Sequence, residues 1–363
     1  MDRLVEEVSE AARFCQEVWE LAKQRPLFPG EEFEEIVCGI LATDQADAHG
    51  DVASVEVLQG MVESLRDKLR WAHAHHNPLI QPVGRNLGAR LFYSEKSQTH
   101  FVVLACGYYS PRKLPSFSDI GIDVTELGVD EDIRLSKTHL RCRVGFNPRE
   151  IKPHVIERIL NKAPEFVERK PAEQVRKALD FDTVILTIWL STPFIAFSKK
   201  LLEKSAEKMA ESFVEWIKHV AKEVDRLRRK KVIIKFETEY QGCRIEYLIE
   251  SRYKKVIADA ASSLADAEKC AVSLIHKLEP LQPDLVVLRF DSGARCWRPL
   301  HAATAKAGVI SDQPVLVALE NFRGFSYSAE VMVSTKGIKG IPVKLPSQLE
   351  KDKPTSAPRH ADE

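Results

Sequence analysis

The chain has 363 residues, and its hydrophobic fraction of 44% and charged fraction of 29% are those of an ordinary globular protein with room for two or three cores. Its 53 basic and 53 acidic side chains cancel, which excludes a nucleic-acid or acidic-membrane partner held by bulk charge and leaves only local basic runs. Seven cysteines occur with no Cys-x-x-Cys pair among them, which argues against a zinc ribbon or a disulfide framework and fits a reducing, cytoplasmic setting.

The opening stretch is acidic and lacks the basic and apolar blocks of a secretory leader. Over residues 5–23, Val8, Ala11, Ala12, Cys15, Val18, Trp19 and Ala22 recur at helical spacing, so a helical unit over 1–30 is expected, ended by the Pro-Gly-rich stretch 25–30. Residues 34–42 read as a strand. Ser54 is placed to cap a helix over 55–73. Residues 87–94 and 99–109 are β-rich and joined by the polar turn 95–98, which predicts a hairpin. Residues 134–146 alternate as a strand, and 154–162 and 172–179 are helical. A first, β-rich domain is therefore expected over 31–150, with a helical connector over 151–231.

Within that connector, residues 181–197 are apolar for less than the about 20 residues a membrane-spanning helix needs, and Pro193 divides them. A buried strand or helix start is expected there, with a membrane-inserted hairpin as the alternative. A long amphipathic linking helix follows over 198–231, with Leu201, Leu202, Met209, Phe213, Trp216, Ile217, Val220 and Val224 on its apolar face. The basic run 226–231 closes it, where the helix dipole favours cations. No aromatic residue interleaves with that run to stack bases, so no nucleic-acid partner is expected. Strands at 232–240 and 244–250, a helix over 256–278, and strands at 285–290 and 296–303 predict a C-terminal α/β sandwich over 232–340 with a mostly antiparallel sheet. The polar, Pro-rich tail 345–363 is expected to be disordered. The fold class is α+β.

Three candidate sites stand out. Asp44, Asp47, His49 and Asp51, with His73, His75 or His76, could ligate a divalent metal, although such clusters also arise as turns bonded to local backbone N–H groups. Trp297, Arg298 and His301 form a tandem that reads either as a recognition surface or as packing against the long helix. No glycine-rich phosphate loop or metalloprotease motif is present, and no cofactor is expected.

The third site rests on order. The loop Asp47-Ala48-His49-Gly50-Asp51 follows a strand and precedes a helix; His76-Asn77-Pro78 precedes the strand entered at Val83-Gly84; Val144-Gly145-Phe146 ends a later strand. This series, within residues 34–149, resembles the phage prohead serine proteases, which mature capsids. The resemblance implies a compact β-barrel with helices and a Ser–His pair, with His76 as the base that takes the serine proton. Arg143 stands where the resemblance places the serine, and Asn77 where it places an aspartate. Ser110 and Ser136 are the candidate substitutes. The resulting expectation is a degenerate, non-catalytic barrel serving a binding or adaptor protein with a protein partner, phage-derived or acting in bacterial conflict by analogy. The alternative is a serine endopeptidase with a displaced nucleophile, acting on a capsid or other protein. Oligomeric state is not indicated.

Overall fold

A computed structural model of the chain describes residues 3–46, 52–66, 71–72, 77–109, 114–128, 141–148, 150–173, 183–191, 204–227, 231–311 and 341–343. The first half builds a sheet from β1 (Phe33–Thr43), β2 (Trp71–Ala72), β3 (Gly84–Ser94) and β4 (Thr99–Tyr109), and a late segment, residues 341–343, adds one further strand beside β1. All its pairings are antiparallel. The hairpin expected at 87–109 is present as β3–β4, and its turn is held by the Ser97 N–H donating to Ser94 Oγ at 3.1 Å.

β4 reads as a nearly continuous apolar run because both faces of the sheet are covered. Phe101, Val103 and Ala105 point to one face, where α2 (Ser9–Gln24) lays Ala11, Phe14, Cys15 and Val18 against them. Val102 points to the other, under Leu58 and Val62 of α3 (Val55–Arg66). A short α1 (Arg3–Glu7) precedes α2. Ser54 caps α3 as expected, accepting the Val57 N–H at 3.4 Å. The helix expected over 55–73 is shorter: α3 stops at Arg66, and Trp71–Ala72 is a strand paired with β3. Among the described residues the strand order is that of a sheet with β2 and the segment 341–343 outermost, and no pairing closes it into the expected barrel.

The second half builds an eight-stranded sheet. Its strands are β5 (Cys142–Phe146), β6 (Ala172–Glu173), β7 (Thr183–Leu190), β8 (Lys231–Tyr240), β9 (Cys243–Glu250), β10 (Pro283–Asp291), β11 (Cys296–Thr304) and β12 (Gly308–Ser311), and the late strand beside β1 becomes β13 (Ile341–Val343). The spatial order is β12-β11-β10-β9-β8-β7-β5-β6. Within 231–311 every junction except the parallel β9–β10 is antiparallel, as the two short turns predict. The sheet also reaches back to β7, β5 and β6.

Helices α4 (Pro153–Asn161), α5 (Lys204–Asp225), α6 (Lys254–Ser262) and α7 (Leu264–Leu278) share one core with one face of this sheet. Ile159, Trp216, Ile257 and Leu274 meet Leu186, Phe236, Ile245 and Leu288 there. The expected linking helix is thus a crossover: α5 connects β7 to β8, which pair in parallel. The single helix expected over 256–278 breaks at Ser263, whose hydroxyl and N–H turn back onto the carbonyls of Asp259 and Ala260.

Two boundaries differ from expectation. Residues 142–146 belong to the second sheet, so the chain leaves the first sheet before residue 150. Residues 172–173 form a strand where a helix was expected, and 174–179 lie outside the described residues. The apolar stretch is strand β7 in protein, with Val184, Leu186 and Ile188 essentially fully buried, and 192–197 lie outside the described residues. Among the described residues no helix is long and apolar enough to cross a membrane. The tail 345–363 also lies outside them.

The opposite face of the large sheet receives the first half of the chain. Ile185, Ile233, Leu248 and Val287 pack with Phe28, Trp71 and Tyr109. Trp71 Nε1 donates to Asp284 Oδ2 at 2.9 Å across this contact. Gly308 is required here twice over: its φ is +72°, and a Cβ would sit 2.5 Å from the Phe28 ring.

Candidate binding surface

The residues that carry the protease resemblance are not brought together by the described structure. Arg143 lies on β5 in the large sheet, whereas β1, β3 and β4 lie in the other. Its guanidinium is exposed and stands 3.7 Å from Glu168. Cys142, its neighbour, faces inward, and burial pushes its thiol up to about 12, so it is a poor nucleophile at neutral pH. His76, Ser110 and Ser136 lie outside the described residues, as do His73, His75, Asp47, His49 and Asp51. Asn77 has a local use: its Oδ1 accepts the Leu79 N–H at 3.0 Å. Asp44 is engaged with His100, its carboxylate meeting Nδ1 at 2.7 Å and the backbone N–H at 3.0 Å. Among the described residues no group of three or more His, Cys, Asp or Glu side chains is arranged to hold a metal.

The tandem on β11 divides between core and surface. Trp297 is buried, edge-on to Tyr247 and Phe290, and its Nε1 donates to Ser263 Oγ at 3.1 Å. It therefore packs against the α6–α7 junction. His301 is fully buried. Only Arg298 reaches solvent, 3.5 Å from Asp291. The recognition surface expected from Trp297, Arg298 and His301 gives way to packing, because strand alternation sends neighbouring side chains to opposite faces.

A charged cluster that the sequence reading missed lies on the sheet face turned toward the first half. The β8–β9 register sets Glu237 directly opposite Glu246. Like charges so placed repel, and Lys235 answers them at 2.7 Å and 3.2 Å, with Arg244 3.7 Å from Glu246. Burial works against the Lys235 charge, but the two carboxylates prevail and hold its pKa above the usual lysine value. The two cations and two anions balance, so this cluster is a structural network.

The helical face carries the opposite situation. Four helix-layer carbonyls are capped by side chains: Arg158 O by His219 Nε2 at 2.9 Å, Ile159 O by Trp216 Nε1 at 3.1 Å, and the Leu160 and Ala163 oxygens by Arg169. These bonds satisfy the orphan acceptors at the end of α4 and lock it against α5. Trp216 is 1% exposed and forms the base of the contact. Above it lies an open depression of about 560 Å³ whose lining includes Lys162, Glu215, Lys218, His219, Lys222 and Lys254. These side chains come from the end of α4, the outer side of α5 and the first residue of α6.

Glu215 pairs with Lys218. Among the described residues no carboxylate pairs with Lys162, Lys222 or Lys254. A concave surface with a surplus of positive charge, set on a rigid base, can attract and hold an anionic group. Comparison with protein-family models, with curated proteins and with solved structures gives no match to this chain.

Proposed function

We propose that this chain is a non-catalytic binding protein, an adaptor that holds a protein partner. The observation that carries the reading is the lysine-lined depression over α4, α5 and α6, where Glu215 pairs with Lys218 and, among the described residues, no carboxylate pairs with Lys162, Lys222 or Lys254. Arg143 supports it from another direction. The prohead-protease resemblance places a serine there, and a guanidinium that stays protonated cannot attack a carbonyl. On this reading the N-terminal strands are a degenerate, protease-like scaffold in which His76 has a structural or binding role. The scattered free cysteines support a cytoplasmic setting.

The test is labelling of the full-length chain with a serine-directed fluorophosphonate, alongside His76→Ala, Ser110→Ala and Ser136→Ala. No labelling is expected in any of them. Labelling that disappears in His76→Ala and in one serine variant would replace the adaptor reading with a serine endopeptidase.

A further inference from the structure

Resting on the binding reading, we infer that the depression between α4, α5 and the start of α6 docks an extended acidic segment of a partner polypeptide, a run of Asp and Glu side chains. The chain as a whole is neutral, so gathering Lys162, Lys222 and Lys254 beside the Glu215–Lys218 pair around one concavity is a local departure from its charge balance. Mutual repulsion among these ammonium groups is only screened by water and salt. An incoming row of carboxylates relieves it and gains steering over a Debye length.

The cations are lysines on flexible stems, not planar guanidinium forks. Lysine acts as a hydrated point charge, suited to a loose row of carboxylates more than to bidentate capture of a phosphate. Successive bases would need a row of exposed rings to stack on; the ring at the floor, Trp216, is buried and committed to the Ile159 carbonyl, and Tyr253 beside the depression offers one ring, not a row. Beside the depression, Tyr253 precedes Lys254 and is 63% exposed, with the Arg252 guanidinium 5.4 Å from its ring centre. Tyr and Arg in this setting are the residue types that anchor protein interfaces.

The experiment measures fluorescence anisotropy of a short fluorescein-labelled peptide of alternating Glu and Asp with the full-length protein. A Gln/Asn peptide of the same length and an oligothymidylate serve as comparison probes. The acidic peptide should bind, and rising salt should weaken it. The double variant Lys222→Glu/Lys254→Glu should weaken it about tenfold, as expected for reversing two interface charges. Lys277→Glu, on the exposed side of α7, should leave it unchanged. The neutralising pair Lys222→Gln/Lys254→Gln gives the same direction if charge reversal harms folding, with an unchanged thermal midpoint as the check. Equal binding by the double variants, no binding by the wild type, or a lysine-dependent preference for the oligothymidylate would each overturn the inference. No peptide binding and no fluorophosphonate labelling together remove this surface and leave the non-catalytic reading on the Arg143 argument alone. Labelling removes the adaptor reading, whatever the peptide does.

Discussion

Replacing Arg85 with Met should destabilise this fold by breaking a nearly buried ion pair. Arg85 holds Glu31 through two bonds, Nε to Oε1 at 2.7 Å and Nη2 to Oε2 at 2.9 Å. The Glu31 side chain is 0% exposed and that of Arg85 12%. Glu31 also accepts the Leu27 N–H at 2.6 Å. The pair thereby pins the loop that carries Phe28 onto Tyr109 and the large sheet. Met preserves most of the stem volume but leaves a buried carboxylate with a single backbone donor. Breaking a buried pair in this way costs about 3–5 kcal/mol, a large part of a total stability of about 5–15 kcal/mol. The double variant Arg85→Met/Glu31→Leu removes both charges and should recover most of the loss, less about 1–3 kcal/mol for the Leu27 N–H left without its acceptor. Urea unfolding followed by circular dichroism measures this as a shift of midpoint at constant slope. A loss below about 1 kcal/mol for Arg85→Met, the range of exposed ion pairs, would show that water reaches Glu31 and would refute the reasoning.

Two further outcomes follow from buried groups. Lys235 has its pKa raised in the folded state by Glu246 and Glu237 against the opposing effect of burial, so its contribution is fully present below the unfolded lysine value and is lost as pH rises through the higher folded one. Unfolding midpoints measured across the alkaline range should therefore fall above about pH 10, and Lys235→Met should abolish that component; an unchanged alkaline slope in the variant would refute the assignment. For the thiols, burial pushes Cys106, Cys142, Cys243 and Cys270 up to about 12, and only Cys296 is not buried. Ellman's reagent at neutral pH should modify Cys296 alone until denaturant is added, and rapid reaction of the native Cys296→Ser variant would contradict the packing described.

Local patterns spoke clearly where one element supplies its own explanation. The α2 stripe of Ala11, Phe14, Cys15 and Val18 follows the helical period and meets the first sheet as that period requires. Ser54 announced α3, and the polar turn at 95–98 announced the β3–β4 pair. What local patterns could not state was the partner. Residues 142–146 alternate like a strand of either sheet, and only pairing with β7 assigns them to the second. Trp71 lies in a stretch whose sequence reads as helix, yet it is fixed by Asp284, which is remote in sequence. The break at Ser263 was masked by an apolar period that continues smoothly through α6 and α7, although a serine able to take back carbonyls was already in view.

The binding surface was hidden for a different reason. The most conspicuous basic run begins at Arg226, and the fold engages that first residue: Arg226 and Arg158 both reach Glu223, at 2.6 Å and 2.7 Å. Burial works against the Glu223 charge, but these two guanidinium groups hold its pKa below the usual carboxylate range. Arg226 is thus committed to an internal ion pair, and 228–230 lie outside the described residues. The lysines that line the depression are each unremarkable in sequence, one after the end of α4, two on the outer side of α5 and one at the start of α6. They become a surface only because Trp216 and His219 bind the last carbonyls of α4 and draw the two helices together. Charge patterning along the chain records how many cations exist; hydrogen bonds between helices decide which of them are left facing outward with no carboxylate beside them. That second quantity belongs to the fold, and it is the one on which recognition of an acidic partner depends.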